Sequence, residues 1–305
     1  LGIWHSAWTS RGVGVGALFA VGATTPTTRG PQVEPALGVV PTITAPEQVT
    51  LPIYSYLPSV EQTVTLMVTG QNLVNECITT DGGTGRSSWS IMDNATGQTR
   101  AASVADVTMS VEFQRRLDAA RSGMWGFFDP ISVAGNGYRI PADQGNLVLS
   151  VPTDLIMEDC YARVDSVTPG GTAAWPFSIS SLPEAGPQWR PDDSRYEAVV
   201  ERWSECMTGR GFDYPTPVDA IAGNSLHGVD EAMATAVATA DVGCKIETNL
   251  VGVAVAVASA YEQQWIDTHR DELVAQQEQI ADYLAGRVTV PDKVPATDIP
   301  TALPS

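Results

Sequence analysis

Apolar residues recur at helical spacing along most of this chain, and that periodicity predicts an all-α fold. Ser59 is placed to cap a helix running to about Thr79, with Val60, Val64, Met67, Gly70, Leu73, Val74 and Cys77 along one face. Its several Thr and Val residues lower intrinsic helix propensity, so burial has to hold it. A second helix is predicted over 104–120. A third, over 152–167, turns Leu155, Ile156, Cys160 and Val164 inward and Asp154, Glu158 and Asp165 outward. Asp192 or Asp193 caps the next helix, placing acidic charge at the positive end of the dipole. There Tyr196, Val199, Val200, Trp203 and Met207 form one stripe, while Glu197, Glu201 and Glu205 share another face; Gly209 and Gly211 end it. From Val229 to Leu284 the pattern stays helical, with a break expected near Gly243 or Gly252. Residues 250–260 are apolar on nearly every side, which predicts a buried helix. After Tyr261 the run turns amphipathic through Trp265, Ile266, Leu273, Ile280 and Leu284.

Between these elements the chain is punctuated. Residues 24–58 carry Pro26, Pro31, Pro35, Pro41, Pro46, Pro52 and Pro58, which predicts an extended linker holding the folded part away from a membrane or wall. Residues 83–100 are polar and rich in Gly and Ser, a predicted loop. The aromatic, Gly-punctuated stretch at 122–130 suits a pocket lining or, preferably, a buried loop packing its rings into the core. Residues 169–191 return to Pro and Gly and mark a soft boundary between two domains or two halves of one. The organisation predicted is therefore a signal-like or anchor segment (1–23), the linker (24–58), a first Cys-bearing helical unit (59–168), a loop (169–191), a second Cys-bearing unit (192–287) with a long C-terminal helix, and a disordered tail (288–305).

The four cysteines sharpen this picture. No Cys-x-x-Cys pair occurs, and the three histidines, His5, His227 and His269, do not cluster with them, which argues against structural zinc. Glu76-Cys77-Ile78-Thr79-Thr80-Asp81-Gly82 resembles Glu205-Cys206-Met207-Thr208-Gly209-Arg210-Gly211, and each is followed later by a helix with one more cysteine, Cys160 and Cys244. The repeat predicts disulfides 77–160 and 206–244. Bridges of that kind persist in oxidising compartments. An exported chain is also suggested by Arg11, the apolar run 12–20 and the small-x-small Val21-Gly22-Ala23. A cleaved or truncated signal is the preferred reading of that segment and a membrane tether the alternative.

Charge excludes some partners. The 305 residues hold 35 acidic and 17 basic groups, for a net charge of -18. That sign repels phosphate backbones and anionic lipid, so no nucleic-acid partner is expected.

Trp203-x-x-Cys206-Met207-x-x-x-Gly211-x-x-Tyr214-x-x-Pro217, followed by Ala240-Asp241-x-x-Cys244-Lys245 and Asn249-Leu250, resembles a family of uncharacterised actinobacterial exported proteins, many of them lipoprotein-like. Leu51-Pro52 with Tyr54, the Cys77 helix and Gly137-Tyr138-x-x-Pro141 resemble its N-terminal half, so the likeness runs over about 50–285. The resemblance implies an extracytoplasmic helical protein. It carries no established activity or catalytic residues.

Catalytic chemistry finds little support in the sequence. Glu197, Glu201 and Glu205 suit a solvated helix face better than paired catalytic acids, and Glu158 and Asp159 share that ambiguity. Cys77 and Cys206 sit at helix C-termini, where the dipole opposes a thiolate. No Gly-x-Ser-x-Gly elbow, phosphate loop or dinucleotide fingerprint occurs. The preferred expectation is a non-enzymatic binding protein of the cell envelope, with no metal or cofactor and an envelope protein or wall component as partner. Trp265, Ile266, Leu273 and Ile280 are the predicted contact face. The alternative is a carboxylate-based glycan hydrolase of the wall, with Trp125, Trp203 and Tyr214 stacking on sugars.

Overall fold

The computed structural model describes residues 33–93, 96–122, 124–139, 146–150, 155–170, 182–224 and 230–292. The expected signal segment, the first part of the linker, His227 and the end of the tail lie outside the described residues. From Pro35 onward the chain forms one compact unit.

The fold is predominantly helical. Its helices are α1 (Val60–Thr80), α2 (Val104–Ala120), α3 (Pro130–Asn136), α4 (Leu155–Asp165), α5 (Ser194–Gly209), α6 (Pro217–Asn224), α7 (Glu231–Thr248), α8 (Leu250–Thr268) and α9 (Arg270–Leu284). Start signals behave as local chemistry dictates. Ser59 accepts from the Gln62 amide and Gln62 returns the contact, a reciprocal cap on α1. Asp193 accepts from the Arg195 amide at the head of α5.

The polar stretch predicted as a loop over 83–100 contains strand β1 (Ser88–Met92), which pairs antiparallel with β2 (Thr99–Ala101) and β5 (Asn146–Ser150) in the order β2-β1-β5. A two-residue ladder joins β3 (Arg121–Ser122) to β4 (Gly126–Phe127). The alternation Ser88-Trp89-Ser90-Ile91 is too short to outweigh its Gly- and Ser-rich flanks, and its partner β5 lies beyond a whole helix.

The C-terminal helical run is present from residue 231 to 284, but its breaks fall at Asn249 and His269. Asn249 is left-handed (φ 54°), and α7 and α8 meet there at a bend of 64°. Both glycines expected to break the run lie inside helices and serve close approach instead. A Cβ on Gly252 would sit 2.0 Å from the Pro41 carbonyl oxygen, and one on Gly243 would meet the Arg210 guanidinium at 2.3 Å. Among the described residues no single helix is long and apolar enough to cross a membrane.

The predicted linker also needs correcting. Residues 35–58 are Pro-punctuated and extended apart from two 3-10 turns, Pro46–Gln48 and Pro52–Tyr56, but they run as a strap over the core, not as a free stalk. Ile43, Val49, Leu51 and Ile53 are buried in the main cluster. Asn249 holds the strap with both ends of its amide: Oδ1 accepts from the Ile43 amide and Nδ2 donates to the Pro41 oxygen. The Pro-rich composition describes only part of the backbone, since Pro46 and Pro52 each open a 3-10 turn; the apolar residues between the prolines decide where it goes.

One main core runs from Leu66 of α1 to Tyr283 of α9, centred on α8, whose Leu250, Val251, Ala254 and Val257 are fully enclosed. The aromatic loop contributes Trp125, Phe127 and Phe128, all buried, and α5 contributes Tyr196, Val199, Trp203 and Met207. Leu182, beyond the expected boundary, lies in the same core. The two Cys-bearing segments are therefore parts of one folded unit. A smaller cluster, Val74, Cys77, Ile78, Met157, Cys160 and Val164, packs α1 against α4.

Candidate functional site

Both predicted disulfides are formed, Cys77–Cys160 and Cys206–Cys244. The first staples α1 to α4 inside the smaller cluster, and the second ties α5 to α7 beside the main core. Asp81 approaches the first bridge, but both of its sulfurs are spent in the bond, and Asp81 is held instead by Arg163 Nη1 at 2.6 Å. Cysteine and carboxylate there form a structural joint.

The motif Ala240-Asp241-x-x-Cys244-Lys245 acquires a physical meaning next to the second bridge. Asp241 and Lys245 are both fully buried, one helical turn apart, with Nζ donating to Oδ2 at 2.6 Å. Lys245 also donates to the Phe127 carbonyl oxygen at 2.7 Å. Asp241 accepts further bonds from the Tyr138 hydroxyl and the Trp203 indole, each at 3.0 Å. Burial pushes the Asp241 carboxyl up and the Lys245 ammonium down, and each charge is the chief offset to the other's burial. The same burial, with Asp241 nearby, drives the Tyr138 phenol far above its ordinary value. This network joins α5, α7, the aromatic loop and Tyr138 through one polar node. No described cavity opens on it, so its geometry is that of a structural lock.

The predicted contact face is occupied internally. Ile266, Leu273 and Ile280 lie in the main core, and Trp265 stacks on His269 with ring centroids 4.3 Å apart. Ile266, Leu273 and Ile280 hold α8 and α9 to the rest of the chain and are not free to meet a partner, while Trp265 is half-buried. Amphipathic spacing identified the helix face correctly; what covers the face is this protein's own strap, turn and neighbouring helices. His269 sits at the α8–α9 break, with Nδ1 at 2.9 Å from the Trp265 oxygen. Glu197, Glu201 and Glu205 are exposed on α5, as are Glu158 and Asp159 on α4, and none of them lines the cavity described below. Trp203 is buried; Met207 is a core residue, and Met233 is exposed.

The strap, α1, α2, the aromatic loop, residues 187–190 and α8 line a cavity of about 960 Å³ that is partly open to solvent. Its walls are largely apolar, with Val49, Leu51, Leu57, Val60, Val111, Ala119 and Met124, and they carry the rings of Tyr54, Trp125, Trp189 and Tyr261. Such volume and lining fall in the range of small-molecule sites. Charged side chains also reach it, namely Glu47, Arg115, Arg116, Asp118, Arg190 and Glu262. Arg115, half-buried, donates to the Pro58 oxygen and to Thr63 Oγ1. Arg116 is held by Asp129 at 3.1 Å and Glu47 at 3.5 Å. Burial raises the Asp118 carboxyl, which accepts from Gln114 Nε2 at 2.8 Å.

Glu262 differs from these. It is only 8% exposed, and Oε2 accepts one hydrogen bond, from the Ile53 amide of the strap at 3.2 Å. No cationic side chain among the described residues stands within ion-pair distance of it. Burial pushes its carboxyl up to about 7, against the smaller opposing pull of the Ile53 amide. Tyr54, between Glu262 and Arg115 in the electrostatic sense, is pushed up to about 12 by burial and then by Glu262.

Sequence reasoning missed this site, although one signal was present. Val251, Val255, Ala258, Glu262 and Ile266 fall on one helical stripe, and an acid among buried apolar positions needs an explanation. Nothing local connects Glu262 to Ile53, more than two hundred residues away. Comparison with protein-family models, with curated proteins and with solved structures finds no match to this chain.

Proposed function

We propose that this chain is an extracytoplasmic binding protein of the cell envelope that receives a small, largely apolar molecule in the cavity under the strap. The observation that carries the reading is the cavity itself, about 960 Å³ and walled by aliphatic and aromatic side chains, with a buried carboxyl at α8. Concave, mostly apolar clefts of this volume are where small ligands bury most of their surface. The two disulfides fit an oxidising compartment outside the cytoplasm. No nucleophile–base pair borders the cavity, and binding without turnover is the activity that its chemistry supports.

The test is titration of the oxidised protein with the neutral apolar fluorophore N-phenyl-1-naphthylamine, with Trp125 and Trp189 in the wall as intrinsic reporters. Saturable uptake at one site is expected, and it is lost in Ala119→Trp and Leu57→Trp, two lining positions where a large ring fills the space. Circular dichroism confirms that these variants are folded. A folded wild-type protein that shows no saturable uptake overturns the reading.

A further inference from the structure

We infer that the cavity selects a hydrophobic amine, an apolar body carrying one ammonium group, with Glu262 as its counter-ion. This rests on the cavity being the binding site, and it adds the chemistry of the occupant.

Of the carboxylates around the cavity, Glu262 is the buried one with neither an ion pair nor a second hydrogen bond among the described residues. Asp118 also has one neutral donor, but it is exposed and lies near the charge of Arg115. Arg116 has Asp129 and Glu47; Arg190 has Asp192 and lies over the Tyr261 ring at 5.3 Å; Arg115 has the Pro58 oxygen and Thr63; Asp118 has Gln114. Glu262 has a single neutral donor on one oxygen, and its other oxygen makes no hydrogen bond among the described residues. A buried carboxylate is costly until a cation and further donors reach it. An ammonium supplies both, with N–H donors for Oε1 and the opposite charge. Tyr54 lines the same space and offers an electron-rich ring face, which attracts a cation, whereas the Tyr261 ring already carries the Arg190 guanidinium. Tyr54 keeps its phenolic proton throughout the neutral range and stays a hydrogen-bonding group, not a competing anion. The long apolar wall accepts the body of the molecule. A carboxylate ligand would instead meet Glu262 as a like charge, and the free protein's net charge of -18 would oppose its approach.

Ionisation of Glu262 is part of the recognition. The titratable and charged groups near it are Tyr54 on the strap, Arg115 and Asp118 on α2, and Tyr261 and Arg190 beside it. With Glu262 at about 7 in the free protein, an amine that remains protonated binds more tightly as pH rises from about 6 to about 8. Bound ammonium lowers the carboxyl, so binding near neutral pH releases a proton to the buffer.

The experiment compares three chains of equal length, decylamine, decanol and decanoate, as competitors of N-phenyl-1-naphthylamine at constant ionic strength and below micelle formation. The amine is expected to compete at least about tenfold better than decanol at pH 8, as a charge-assisted contact provides, with decanoate weakest. Glu262→Gln is expected to bring amine and alcohol to parity, each measured relative to that variant's own affinity for the fluorophore. The exposed Glu201→Gln keeps the preference, which separates the site from general attraction to an acidic surface. Decanol or decanoate competing as well as decylamine, or an amine preference that survives Glu262→Gln, overturns the inference and leaves the cavity reading standing. Failure of the fluorophore and of all three chains overturns both.

Discussion

Replacing Glu262 with glutamine removes a buried ionisable group while keeping an acceptor for the Ile53 amide and nearly the same volume. In the unfolded chain the carboxyl titrates near its ordinary value of 4.5, and in the folded protein near 7. Below about 4.5 both states are protonated and the group costs nothing. Between the two values the folded state holds a proton that the unfolded state has lost, so stability falls as pH rises. Above about 7 the loss is complete. The interval between the two values, at about 1.4 kcal/mol per pH unit, comes to roughly 3 kcal/mol. With the residue only 8% exposed, little of this is screened by bulk solvent, although water entering the cavity eases the ionised form and makes the figure an upper one. Glu262→Gln is therefore expected to match the wild type near pH 4.5 and to exceed it by up to about 3 kcal/mol at pH 8. For a domain of this size that corresponds to roughly 6 to 12 °C in melting temperature. Urea unfolding of both proteins across this range reads the difference directly, and titrations shared by the two cancel. A stability difference that does not change with pH would show that Glu262 is not held protonated by burial.

Other expectations follow from the remaining joints. Lys245→Met leaves Asp241 buried without its cation and is expected to cost about 3 to 5 kcal/mol; adding Asp241→Leu should recover a large part, and a strictly additive double-mutant cycle would argue against direct coupling. Alanine pairs at 77/160 and 206/244 each open a loop, of 83 and 38 residues' separation, and should lose up to about 4 to 5 kcal/mol per bridge in chemical denaturation. The unreduced, denatured protein should show no reactive thiol, and four would refute both bridges. Gly252→Ala drives a methyl into the Pro41 carbonyl, breaks the Asn249 clamp on the strap, and is expected to destabilise by 2 kcal/mol or more; stability within about 0.5 kcal/mol of wild type would mean that the strap yields freely there.

The helices were legible because their signals are local. Ser59 with Gln62, Asp193 ahead of the Tyr196–Met207 stripe, and the uniformly apolar 250–260 run each state their structure within a few turns. The cysteine repeat likewise carried its pairing, since both halves place sulfur near a helix end. The strands were not legible, because β1 depends on β5 across α2 and the aromatic loop. Nor was the fate of the C-terminal stripe: an apolar face announces that it is covered, never by what, and here Ile266, Leu273 and Ile280 are covered from within. The Asp241–Lys245 motif was visible as a spacing, but its meaning waits on Tyr138 and Trp203 arriving from other elements.

The chain's own pattern thus determined the longer helices, their inward faces and the sulfur links, since backbone hydrogen bonding and amphipathic spacing act over a few residues; the short α3 and α6 went unpredicted. Tertiary packing alone decided that the Pro-rich stretch folds back over α8, that two Cys-bearing segments share one core, and that an acid on the central helix borders a cavity. Those outcomes depend on surfaces meeting across up to about two hundred residues, such as Glu262 with Ile53, separated by 209 positions. No local preference encodes where such surfaces meet, because many arrangements bury the same apolar area and only the fit between them selects one.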